Sequence, residues 1–190
     1  MVNMLYVVKY IGKFGFIKPW TAVRDGKTYS QQFLTPSVIE GTEKKLFPDM
    51  LKCNGEIKRI KRYKLRYSAI DMQQEQIHPR GWTFNSKSKT MSRLRSVLLR
   101  GVMLDPVLLL AFDNLCDAQT AMAQHICLCR NEDVLLPEED VIVMNEQEFQ
   151  EEKGFELRFG KSGNSFLVGY NRFNGQPMYG WLEIDGVSVL

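Results

Sequence analysis

Thr28-Tyr-Ser-Gln-Gln-Phe-Leu-Thr-Pro-Ser-Val-Ile-Glu-Gly-Thr-Glu-Lys-Lys-Leu-Phe47 passes from a polar, aromatic loop into an amphipathic helix with a marked start. Thr35 suits the N-cap, Pro36 the first helical position, and Ser37 with Glu40 a capping-box pair. Val38, Ile39, Thr42, Leu46 and Phe47 recur at helical spacing as one face, while Glu40 and Lys44 pair outward at i, i+4. Gly41 costs about 1 kcal/mol against Ala inside a helix, which predicts that something approaches its backbone closely. The free N–H groups of the first turn face the preceding loop and would seat a phosphate. The same features also describe an ordinary first helix packed on a sheet.

Before this stretch, Leu5-Tyr-Val-Val-Lys-Tyr-Ile11 is rich in β-formers and reads as a central strand. Gly12 to Trp20 then interleaves Phe14, Phe16 and Trp20 with Lys13 and Lys18. Rings that stack on bases beside cations that hold phosphates suit single-stranded nucleic acid. A hairpin that buries its aromatics is the other reading. Arg24-Asp-Gly-Lys27 supplies a turn.

After it, Pro48 ends or bends the helix. Glu56 to Ile70 reads as one long strand, with Tyr63, Leu65, Tyr67 and Ala69 on one face and Arg62, Lys64, Arg66 and Ser68 on the other. Lys58, Arg59, Lys61, Arg62, Lys64 and Arg66 put six cations in nine residues without an acid, the pattern of a phosphate track. Protection of a sheet edge accounts for two or three of them. Residues 71–90 have no stable period and read as a long loop or irregular hairpin, with His78, Arg80, Trp82, Lys87 and Lys89 as its chemically useful members. Leu94 to Phe112 reads as two strands broken at Asp105-Pro106, with a helix as the alternative for the first. Asp117 to Arg130 reads as a helix. Short strands follow at 141–143, 155–159, 165–170 and 178–184.

The net charge of +3 conceals a division. Residues 1–100 hold 20 Lys and Arg against 7 Asp and Glu, a net of +13; residues 101–190 hold 5 against 15, a net of −10. Such halves predict a polyanion-binding face and an acidic face turned to basic neighbours or solvent. Hydrophobic content of 44% predicts a globular chain, and no apolar run of membrane-spanning length occurs. Neither a signal peptide nor a disulfide framework is expected from Cys53, Cys116, Cys127 and Cys129, so a cytoplasmic setting is expected. His125, Cys127 and Cys129 offer three metal ligands without a fourth, and buried thiols explain them as well. Gly160-Lys-Ser-Gly163 lacks the spacing of a phosphate-binding Walker loop. No cofactor and no metal are expected.

A strand, an aromatic loop, the segment holding Tyr29, Pro36, Ser37 and Gly41, a helix and then a basic strand stand in an order that resembles the Cas-five family of CRISPR-associated RAMP proteins. Lys58-Arg-Ile60 and Leu98-Leu-Arg-Gly-Val102 add to the resemblance, which covers about residues 3–112. It implies an α+β, ferredoxin-like (RRM/RAMP) domain with an antiparallel sheet over residues 1–130. An acidic, β-rich C-terminal extension follows at 131–190, and residues 71–90 form an irregular thumb loop. The implied role is a non-catalytic subunit of a CRISPR ribonucleoprotein that grips the 5′ tag of the guide RNA (crRNA) and caps a row of Cas-seven-type backbone subunits. On that reading Phe16, Trp20 and Tyr29 stack bases, and Gln31 and Ser37 line the helix start. Lys13, Lys18, Arg24 and the cations from Lys58 to Arg66 follow the backbone, while Arg80, Trp82, Lys87 and Lys89 form the thumb. One branch of the family cuts precursor RNA with a tyrosine after the first helix and a Lys-His pair. Here Phe47 holds the former position, and no Lys-His dipeptide occurs. A metal-independent endoribonuclease using His78, or a stand-alone RNA-binding or phage-encoded interaction protein, are the alternatives.

Overall fold

Strand β1 (Met4–Ile11) alternates its side chains between two cores. Val8 and Tyr10 join the larger one, and Leu5 and Val7 the smaller one on the opposite face of the sheet. The computed structural model describes residues 4–19, 26–52, 56–77, 81–93, 96–171 and 174–185. Two short strands, β2 (Phe14–Gly15) and β3 (Lys27–Tyr29), precede helix α1 (Pro36–Leu46) and a 3-10 turn at Pro48–Lys52. Strands β4 (Ile60–Arg66), β5 (Ala69–Ile77), β6 (Thr83–Asn85), β7 (Thr90–Ser92), β8 (Ser96–Leu104) and β9 (Val107–Phe112) follow. Helix α2 (Leu115–Met122) leads to β10 (Ile126–Cys127), β11 (Val134–Pro137), β12 (Ile142–Asn145) and helix α3 (Glu146–Glu151). Strands β13 (Gly154–Phe159), β14 (Phe166–Tyr170) and β15 (Pro177–Asp185) complete the chain. The protein is therefore α+β with mostly antiparallel sheets.

The main sheet runs β10-β11-β1-β9-β4-β13-β15-β14, and β12 pairs with the first half of β1. Tyr6↔Phe112 through Ile11↔Val107 fix β1 against β9, and Ile60↔Phe112 through Arg66↔Val107 fix β4 on the other side of β9. Helix α1 covers one face through Ile39 and Leu46, and α2 covers the same face through Ala118 and Ala121. Phe149 of α3 covers the other, against Leu109, Ala111 and Met144. The acidic segment after residue 130 supplies strands to both sides of the sheet: β11 and β12 beside β1, and β13 beside β4.

A second sheet carries the feature that most changes the expectation. Residues 56–70 are not one strand: β4 ends at Arg66, and β5 leaves the main sheet after Ser68, whose N–H donates to the Leu104 carbonyl at 2.9 Å. Nine register pairs, Ala69↔Leu104 to Ile77↔Ser96, join β5 to β8, and β6 pairs with β7 further out. Within the expected loop at 71–90, residues 71–77 thus belong to a β-arm about 30 Å long along its ladder, at about 3.3 Å per residue, and 83–85 and 90–92 to a separate ribbon. Asp105, at φ +46°, makes the turn that returns the chain from the arm to β9, so the break at Asp105-Pro106 falls where expected.

The first helix also departs from its expected capping. Thr35 is extended at the N-cap, but its side chain caps no N–H; its Oγ1 lies 2.9 Å from Ser37 Oγ. Glu40 takes Lys44 at 2.7 Å rather than a capping N–H, and it is largely buried. Nothing lies within 4 Å of a Cβ built on Gly41, so no close approach explains that glycine. The helix expected over 117–130 stops at Met122.

Candidate nucleic-acid interface

The six cations of the basic stretch meet six different surroundings. The first three N–H groups of that stretch converge on one acid: Glu43, 1% exposed, accepts from the backbone of Lys58, Arg59 and Ile60 at 2.6–3.1 Å. The Lys58 ammonium lies 3.2 Å from Glu56. Arg59 spans Asp49 (2.5 Å) and Asp117 (2.9 Å) and lies over the Phe47 ring. Lys61 meets Asp113 at 3.0 Å and stays half exposed.

Arg62 and Lys64 point inward, because β4 is covered on both faces. Arg62 forks onto Glu156 at 2.8 and 2.5 Å and also contacts Glu146 and Gln150. Burial alone would lower its pKa, but the hydrogen bond and charge of Glu156, then those of Glu146, raise it overall. Lys64 is fully buried; its ammonium donates to the carbonyls of Gln150 and Glu152 at 2.7 Å and lies over Phe149. Alternation places both side chains on the α3 face, which the sequence presents as a solvent face. This corrects the phosphate track: Arg62 and Lys64 tie β4 to α3 and β13. Arg66, at the strand end, has no ion pair among the described residues.

The aromatic loop divides in the same way. Phe16 is buried, with the guanidinium groups of Arg100 and Arg130 at 5.8 and 5.4 Å from its ring, while Phe14 is exposed; the segment forms no hairpin, because β2 pairs with β8. Arg130 is in turn held by Asp133, whose hydrogen bond is the main cause of its raised pKa. Lys13 and Lys18 are exposed; Lys13 stands 3.9 Å from Asp105. Tyr29 is half exposed, its ring lying against Gly101 of β8 with the Lys27 ammonium 5.3 Å from its centre. Gln31 donates to the Phe33 carbonyl at 2.8 Å, and Ser37 is exposed at the start of α1. Trp20, Arg24, His78 and Arg80 lie outside the described residues.

The arm tip is different. Every residue from 81 to 93 is exposed, among them Trp82 at 56%, Phe84 at 60% and Met91 at 63%. The register Phe84↔Met91 sets these two on one face of the β6–β7 ribbon, and Trp82, two residues before Phe84, shares it. Arg93 stacks on Trp82, its guanidinium 4.5 Å from the ring. Lys87 and Lys89 occupy the turn, where Lys89 adopts φ +53° and Asn85 accepts from the N–H groups of Lys87 and Ser88. Residues 81–93 contain no acid. Of the expected thumb residues, Trp82, Lys87 and Lys89 are together here; Phe84, Met91 and Arg93 complete the surface and were missing from the sequence reading. An aromatic-cation alternation across Trp82, Phe84, Lys87, Lys89 and Arg93 was the available signal.

Among the described residues no group of three His, Cys, Asp or Glu side chains could hold a metal ion. Cys116, Cys127 and Cys129 are free thiols. No described helix is long and apolar enough to cross a membrane. No protein-family model matches the chain. No curated protein matches it.

Proposed function

We propose that the chain is an RNA-gripping subunit of the Cas-five type, built on a ferredoxin-like core, with the arm as its RNA-contacting thumb. The core reading is supported by the succession β1, α1, β4, β9, α2 and β11/β12, whose strands lie side by side as β11/β12-β1-β9-β4. That is a β-α-β-β-α-β run in the antiparallel order fourth-first-third-second. The observation that carries the functional reading is the arm tip: two exposed aromatic rings, three cations and no acid on a ribbon exposed at every residue from 81 to 93.

Stacking on Trp82 and Phe84 tolerates any base, while Lys87, Lys89 and Arg93 attract the phosphates. Tyr29 and Lys27, in register with Gly101 and Leu99 of β8, extend the cationic, aromatic character along the arm. The cytoplasm, guide RNA and Cas-seven-type subunits are the setting and partners that accompany this reading. Cleavage is not part of it: Phe47, directly after α1, is buried edge-on against Phe112 and carries no hydroxyl.

The test is binding of a repeat-derived tag RNA against a scrambled RNA of equal length, in EDTA, with the products run on a sequencing gel. Preference for the tag with intact RNA is expected. Equal affinity for both would remove the capping role, and site-specific cutting lost in His78→Ala would replace it with an endoribonuclease.

A further inference from the structure

At the base of the arm a groove of about 770 Å³ opens between the end of β1, the β8–β9 turn and β11. Ile11, Pro106, Val107, Leu136 and Pro137 line it, and Ile11 and Leu136 remain 42% and 58% exposed. Asp105, Glu132, Glu138 and Glu139 stand at its rim, with Lys13 the one cation among the described lining residues. Lys9, Lys13 and Arg130 meet three of these acids at 2.9–3.9 Å, but Arg130 is shared with Asp133 and Glu139 adds a further charge, so the acids outnumber the cations. The rim therefore repels phosphate and selects an apolar segment that carries cations.

We propose that the occupant is the arm tip of a second copy of this chain. The tip has the complementary composition: Trp82, Phe84 and Met91 on one face, with Lys87, Lys89 and Arg93 beside them and no acid. Asp105 lies both on the groove rim and at the arm's base, and the nine-pair ladder of β5 with β8 ends about 30 Å from it, at Ile77 and Ser96. The contact proposed is therefore between molecules, and its dependence on concentration separates it from one within a chain.

Tip and groove are different surfaces, so the contact is head-to-tail and leaves one of each free at the ends of every assembly. The contact is small, and its affinity is correspondingly weak and salt-sensitive. It does not rest on RNA binding. The two uses share the tip and exclude one another.

Sedimentation velocity of the nucleic-acid-free full chain tests this. The wild type is expected to associate with rising concentration, and less so as salt shortens the Debye length from about 10 Å at 0.1 M to about 3 Å at 1 M. A tip variant, Phe84→Ser with Met91→Ser, and a groove variant, Glu138→Lys with Glu139→Lys, should each sediment as monomer. Mixed together they should form a dimer and stop there, because each supplies one intact surface. Adding Lys87→Glu and Lys89→Glu to the groove variant should restore self-association by reversing both charges. A wild type that is monomeric throughout, variants that associate like it, or a mixture that stays monomeric would each overturn the proposal. Circular dichroism on every variant separates loss of contact from loss of fold.

Discussion

Arg62 on β4 and Glu156 on β13, 94 residues apart, form a two-pronged ion pair with both side chains nearly buried, at 2.8 and 2.5 Å. The pair joins the basic half of the sequence to the acidic half. Arg59–Asp117, Lys61–Asp113 and Lys9–Glu138 repeat the connection elsewhere on the surface of the fold. Much of the charge division in the sequence is therefore internal complementarity, and only the remainder is available to a polyanion.

Removing one partner should be far worse than removing both. Glu156→Leu leaves the buried guanidinium with only Gln150 and the more exposed Glu146, and is expected to cost about 3 kcal/mol in urea unfolding, the low end for a broken buried pair. Arg62→Met with Glu156→Leu replaces the pair by apolar groups and should recover most of that loss. A double variant as unstable as the sum of the singles would show that the two residues are not coupled.

Glu43 is expected to matter in the same manner without any cation. Glu43→Ala leaves the N–H groups of Lys58, Arg59 and Ile60 without their acceptor. A loss of about 1–3 kcal/mol follows from leaving the buried Ile60 donor unsatisfied. Faster amide exchange at residues 58–60 checks it locally; unchanged exchange there would contradict it.

Tyr10 and Tyr63 predict an alkaline limit to stability. Burial raises both phenols above the ordinary 10.0, with the Glu156 charge adding to the shift at Tyr63. Tyr10 donates to the Ala121 carbonyl at 2.6 Å and Tyr63 to the Leu157 carbonyl at 3.0 Å. In the unfolded chain both ionise first, so the folded state holds more protons above pH 10. Stability is whole below that pH and falls as pH rises, by about 1.4 kcal/mol per unit for each tyrosine. Urea unfolding at several alkaline pH values should show this slope, halved in Tyr63→Phe. A flat profile would contradict the assignment.

Gly101 has a steric reason to be glycine. A Cβ there would lie 2.3 Å from the Tyr29 ring. Gly101→Ala should destabilise the β3–β8 pairing by about 1–3 kcal/mol, and Tyr29→Ala in the same chain should relieve it. Additive losses would rule out this contact as the cause.

What the sequence made legible follows the hydrophobic pattern. Leu5 to Ile11, the break at Asp105-Pro106 and the short C-terminal strands all alternate or run apolar, and all fall near their expected positions. Asp71-Met-Gln-Gln-Glu-Gln-Ile77 did not read as a strand, since β5 is exposed or half-exposed throughout and has no buried face to write a period. The basic strand misled for the converse reason: its charged face is covered by α3, an element that Asn145 and Glu148 announce through a capping box that went unread. Lys64 looks like a surface cation in one dimension; its burial depends on residues some 85 positions later.

The most direct test of the account is the salt dependence of single-stranded RNA binding in three proteins. Lys87→Ala with Lys89→Ala should flatten the plot of log affinity against log salt by about 1.4, two phosphate contacts at about 0.7 each. Trp82→Ala should lower affinity by about 1–3 kcal/mol at every salt concentration while leaving the slope as it was. The account predicts both results in proteins that unfold like the wild type. An unchanged slope in the lysine variant, together with unchanged affinity in Trp82→Ala, would contradict it and remove the arm tip from the RNA path.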